Sequence, residues 1–172
     1  MTLELWLAYG GYLAWLVAGL CDFLVHRRTD LPHTSGVAES TMHLLQLALL
    51  GIAVVVGMGF EVERTVALLL LALVILHAAV GYRDSRIAFG RARVVLPVEQ
   101  HLHSVLDMAP PIALAWLLAT TWPAAMAPGW AILPRTPALP AAAWVAALLP
   151  PAVLCVLPAL LEFRAAWRAA RA

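Results

Sequence analysis

The chain has 172 residues, 63% of them hydrophobic and only 12% charged, with a formal net charge of +1. A soluble domain is near half apolar and near a quarter charged, so this composition excludes that class and predicts one all-α domain embedded in a membrane. It also offers no basic field for nucleic acid.

Five stretches are long enough to cross about 30 Å of hydrocarbon, which takes roughly 20 helical residues. In chain order they are Leu3–Val25, Val37–Phe60, Thr65–Tyr82, a fourth from about Pro97 to Trp122, and Pro140–Leu161. The first lacks a basic leader and is long enough to span, so no cleavable signal is expected. Pro97 suits the first turn of a helix, and Pro110 and Pro111 are expected to bend the fourth one and free backbone carbonyls. The loops are "HRRTDLPHTSG", "EVER", "RDSRIAFGRARVVL" and a Pro-rich segment before the fifth helix, and "EFRAAWRAARA" reads as a short tail. Cys21 and Cys155 fall inside apolar segments and read as small buried side chains rather than a disulfide framework.

All eleven cations are arginine. Arg27, Arg28, Arg83, Arg86, Arg91, Arg93, Arg164, Arg168 and Arg171 share one side if the helices alternate, leaving Arg64 and Arg135 on the other. The positive-inside rule then puts the N-terminus outside and the C-terminus in the cytoplasm. The arginine-only, Ala- and Leu-rich composition fits a bacterial inner membrane. Trp6, Trp122 and Trp130 fall toward the outer interface. Arg27, Arg28, Arg83 and Arg86 are expected to meet lipid headgroups, with Arg91 and Arg93 alongside them.

The six histidines all fall at the cytoplasmic end. Asp22 and His26 are four apart, as are Glu39 and His43, Glu99 and His103, and His103 and Asp107, while His77 and Asp84 are seven apart. Those separations put each set on one helix face, so four helices carry His/carboxylate stripes at similar depth. Intramembrane charge is costly unless paired, and a bundle core is a common place for a two-metal site. Asp22, His26, Glu39, His43, His77, Glu99, His103 and Asp107 are the expected ligands. Asp84 and His101 are expected to orient them or to substitute for them. His33 reads as solvated loop, and Glu4, Glu61, Glu63 and Glu162 as helix-end residues without function. No site residue is expected from the fifth helix.

The pattern "CDFLVHRR…GVAESTMH…HAAVGYRDS…EQHLHSVLD" resembles a family of small multi-pass bacterial membrane proteins carrying a His/carboxylate metal motif. More loosely, it is similar to integral-membrane di-iron hydroxylases and desaturases, which use more histidines in HxxxH and HxxHH boxes. That resemblance implies two metal ions, taken as iron, and an oxidoreductase acting on a membrane lipid or other apolar substrate. A second likeness, through Ser40 and His43 of "ESTMH", is to membrane zinc hydrolases of the alkaline-ceramidase and adiponectin-receptor type. It implies zinc, a metal-bound water as nucleophile, and Glu39 or Asp107 as general base. A third expectation is a non-enzymatic metal- or haem-binding module, with His43 and His77 as haem ligands. Redox partner and oligomeric state stay open.

Overall fold

The computed structural model describes residues 3–91, 93–127 and 129–172. Five helices are long and apolar enough to cross a membrane, which marks an integral membrane protein. They are α1 (Leu3–Arg28), α2 (Gly36–Gly59), α3 (Arg64–Gly90), α4 (Pro97–Met126) and α5 (Ala141–Ala169). A 3₁₀ turn, Leu31–His33, joins α1 to α2. Among the described residues there is no strand, only an isolated bridge between Phe60 and Pro134. The fold is all-α.

Two helices run past the limits of their apolar spans. α3 continues eight residues beyond Tyr82 because "GYRDSRIAFG" is amphipathic: Gly81, Asp84 and Ala88 are buried while Arg83 and Arg86 are exposed. α5 likewise continues through the supposed tail, with Ala159, Glu162 and Ala166 buried and Arg164 and Arg168 exposed. In both, inward residues three and four apart keep the helix packed after its hydropathy has ended.

α4 stays helical through Pro110 and Pro111. A second proline pair, in α5, shows how carbonyls freed in this way are satisfied. Pro150 and Pro151 carry no N–H, so the carbonyls four residues back, on Ala146 and Ala147, lose their helical partners. Tyr9 donates its hydroxyl to the Ala146 carbonyl at 3.2 Å, and Tyr12 donates to the Ala147 carbonyl at 2.6 Å. Just beyond, residues Ala152–Val156 form a π-helical turn, a distortion common beside functional sites. Two tyrosines of α1 thus satisfy in lipid what the prolines of α5 leave unpaired.

The helices close a ring: α1 packs on α4, α4 on α3, α3 on α2, α2 on the second half of α5, and α5 back on α1. Val62, Val66, Ala67, Leu70, Leu114 and Ala125 form the apolar core at one end. At the other end, hereafter the site end, ionic side chains are buried beside apolar ones such as Phe23, Leu31 and Ala159.

Candidate metal centre

Two inter-helix loops and the first turns of α2 and α4 meet at the floor of the site end. Glu39 lies in the first turn of α2 and Glu99 in the first turn of α4, where the helix dipole favours an anion. Arg93, from the α3–α4 loop, folds back between them. Its Nη2 donates to Glu39 Oε1 at 2.6 Å, its Nε to Glu39 Oε2 at 2.9 Å, and its Nη1 to Thr29 Oγ1 at 3.0 Å. Nη2 also donates to Glu99 Oε1. Burial works against the guanidinium's charge, but Glu99 and Glu39 outweigh it and hold Arg93 above its ordinary pKa. Arg93 is only 4% exposed, so it is not a headgroup anchor. Three carboxylate bonds, two of them to Glu39 54 positions away, hold it inside instead.

Above this floor, α5 supplies the residue that sequence reasoning missed. Glu162 accepts a hydrogen bond from His26 Nδ1 at 3.0 Å and from His43 Nδ1 at 2.7 Å, one on each oxygen. The two imidazoles stack at 4.8 Å with planes 9° apart, and Phe23 meets both edge-on. A carboxylate on Nδ1 fixes the tautomer that leaves the Nε2 lone pair free, the usual arrangement behind a metal-ligating histidine. So α5 does contribute, against the expectation for it.

The freed nitrogens converge on carboxylates. His26 Nε2 lies 3.3 Å from Asp22 Oδ2 and 3.4 Å from Glu99 Oε1. His103 Nε2 lies 3.2 Å from Asp22 Oδ1, and His43 Nε2 lies 3.4 Å from Asp84 Oδ2. Yet His26 Nε2, His43 Nε2, Asp22 Oδ1 and Asp84 Oδ1 are buried without a hydrogen-bond partner, as is His77 Nδ1. Leaving a buried polar atom unpaired costs about 1–3 kcal/mol. Several such atoms facing one another are the signature of ligands around a common centre. Asp22, His26, Glu99 and His103 form one group whose donor atoms lie within 4.8 Å of each other, and Glu39, His43 and Asp84 form a second. Asp84 thus stands among the candidate ligands themselves.

His77 and Asp107 lie outside both groups. They line a cavity of about 220 Å³ together with Asp22, His43, Asp84 and His103. Its remaining walls are largely apolar, with Tyr12, Leu16, Leu47, Leu50, Val54 and Ala147 among them. His101 is exposed on the outer face of α4. His33 is exposed and bonded to Asp30 at 2.7 Å, as a solvated loop residue should be. Arg27, Arg28, Arg83 and Arg86 are exposed near the site end, where headgroups would meet them. Ser40 donates to the Gly36 carbonyl of its own helix at 3.0 Å, so the hydroxyl proton of "ESTMH" is engaged within α2.

Comparison with family models, with curated proteins and with solved structures returned no match to this chain.

Proposed function

We propose that the protein is a membrane-embedded di-metal oxidoreductase, holding iron and acting on a lipid or other apolar substrate. The carrying observation is the donor set. His26, His103 and Asp22 present two imidazole nitrogens and a carboxylate to one point. Iron held by such a set with open positions is the centre of non-haem oxygenases.

Charge supports two ions. Asp22, Glu39, Asp84, Glu99 and Glu162 are all buried, and among the described residues Arg93 is the one buried arginine beside them. With the imidazoles neutral, as metal ligation requires, five carboxylates against one guanidinium leave four negative charges, the number two divalent cations neutralise. The residues divide the work. Glu162 orients His26 and His43, Arg93 holds Glu39 and Glu99 in place, and Asp22 stands between His26 and His103. The largely apolar cavity walls keep water from the floor, where His77 and Asp107 face the substrate space. The engaged Ser40 hydroxyl weighs against the hydrolase reading.

The exposed arginines at the site end support a cytoplasmic site with the N-terminus outside. A cysteine placed between Ala124 and Thr136 should react with an impermeant thiol reagent from outside, and one placed near Phe89 should not. The function itself is tested by elemental analysis and optical spectroscopy of the purified protein. Two irons per chain are expected. Zinc in their place, or a haem absorption band, would overturn the proposal.

A further inference from the structure

Resting on that reading, we propose that the cavity takes a single-chain amphiphile that slides in sideways from the bilayer between α2 and α5. Its polar end meets the histidine/carboxylate floor, and its tail points away from the site end into the membrane.

The shape of the cavity limits what fits. On α1 its lining runs from Asp22 back to Tyr12, and on α2 from His43 to Val54. Ten or eleven residues of helix rise make it about 15 Å long. Its volume is about 220 Å³, while an engineered cavity of about 150 Å³ admits one benzene ring. A space so long and so small is one chain wide. It suits one tail rather than two.

Polarity sets the direction. The ionisable carboxylates and imidazoles on the lining gather toward the site end, with His77, midway along α3, the deepest of them. Beyond them, Tyr12 is engaged with Ala147 and the Cys155 thiol with the Leu16 carbonyl, which leaves the His77 Nδ1 and the Trp15 indole N–H as the polar atoms there without a partner. The floor therefore suits a hydroxyl, aldehyde or carboxyl, and the walls suit hydrocarbon. A lipid of the site-end leaflet already lies that way round, head at the helix ends and tail toward the bilayer centre.

The path in is a window in the ring. α2 packs on α5 through Leu157–Ala169 and touches the π turn Ala152–Val156, and it meets α5 again where Trp144 comes near Gly59. Between those contacts, Gly51 on α2 and Leu148 on α5 line the cavity while remaining exposed on the lipid-facing surface. A Cβ at Gly51 would meet nothing within 4 Å, so there is open space at that point.

Photolabelling in lipid nanodiscs tests this with two probes. Both are primary alcohols of about twelve carbons, matched to about 15 Å of slot; one carries a diazirine beside the hydroxyl and the other carries it near the chain terminus. The first should label the peptides holding Gln46, Gly81 and Leu106, and the second those holding Leu50, Val54 and Ala147. Gly51→Trp should close the window and reduce both several-fold with metal content unchanged. Labelling of Gly81 and Leu106 by the chain-terminal probe would overturn the polar-end-first orientation. Labelling undiminished in Gly51→Trp would overturn the window. Metal-replete protein that takes neither probe into the cavity would sink the slot and leave the metal centre standing. Labelling as expected in protein that binds no metal would do the opposite.

Discussion

The two ends of the bundle handle charge in contrasting ways. At the end away from the site, Arg135 donates to the Gly57 and Met58 carbonyls, both at 3.0 Å, and Arg64 donates to the Met126 carbonyl at 3.0 Å. These are the C-termini of α2 and α4, where a helix dipole favours a cation, and each arginine remains partly open to solvent. The site end begins with the same logic, since Glu39 and Glu99 sit at the N-termini of those same helices. It then goes much further. Asp22, His43, Asp84 and Glu162 are buried with no helix terminus to serve. Capping explains the first end completely and the second only in part. The proposed metal centre would account for the excess.

The sharpest way to break the contrast is to remove the one buried cation. Arg93→Met leaves Glu39 and Glu99 facing each other without a counter-charge, and losing one partner of a buried ionic group costs about 3–5 kcal/mol. Thermal unfolding in detergent should show a large drop. Arg135→Gln at the other end gives up hydrogen bonds in a partly solvated place and should cost about 1 kcal/mol. Replacing Glu39 and Glu99 by Gln in the Arg93→Met background should recover much of the loss, since a fully neutralised site carries no stranded charge. Equal losses for Arg93→Met and Arg135→Gln would erase the distinction between the ends.

Metal removal comes next. A ligand present at a thousand times its Kd stabilises a fold by about 4 kcal/mol, so chelation should lower the unfolding temperature markedly. His43→Ala should reduce metal content and chelator sensitivity together, because a metal joining α1, α2, α3 and α4 stabilises the ring it binds. Leu70→Ala, in the apolar core of the other end, should lower stability without touching metal content. Loss of metal from Leu70→Ala alone would show that the two ends do not act separately.

Glu162→Gln should have a smaller effect. The amide keeps one acceptor but loses the charge and the second acceptor, so one of the two imidazole N–H groups is left poorly paired, at a cost of about 1–3 kcal/mol. Metal affinity should fall about 10- to 100-fold, the usual result when an orienting partner of a ligating histidine is lost. A protein that binds metal as well with Gln as with Glu would show that Glu162 is a packing residue only.

Glu162 and Arg93 also show where sequence reasoning stops. The stripes on α1 to α4 were legible because each pairs residues four or seven apart inside an apolar span. Such a pattern has few causes. Glu162 lies one residue past the apolar run and is followed by Arg164 and Arg168, so hydropathy alone reads a tail beginning there. The usable signal was the inward series Ala159, Glu162, Ala166, the same device that extends α3 through Gly81, Asp84 and Ala88. For Arg93 there was no such signal. Which of several loop arginines folds inward depends on contacts with Glu39, which is 54 positions away. No local rule carries that information.

The smallest expected effect concerns Asp107, whose place separates the metal groups from the substrate space. It belongs to neither ligand group and lines the cavity at the close approach of α3 to α4. A methyl group on Gly81 would come within 2.8 Å of its Oδ1 and 3.0 Å of Gln46 Nε2, so the bare glycine is what lets both side chains reach this point. Asp107→Asn keeps the shape and one oxygen and removes the charge. If Asp107 lines the substrate floor, metal content should stay at the wild-type level and stability should change by no more than about 0.5 kcal/mol, as for substitutions away from critical contacts. Activity and labelling by the hydroxyl-proximal probe should change instead. Gly81→Ala should act in the same direction more strongly, by pushing Asp107 aside at a cost of about 1–3 kcal/mol of overpacking. Loss of metal from Asp107→Asn would move this carboxylate into the ligand set, and the charge balance of the site would then have to be met by a further cation.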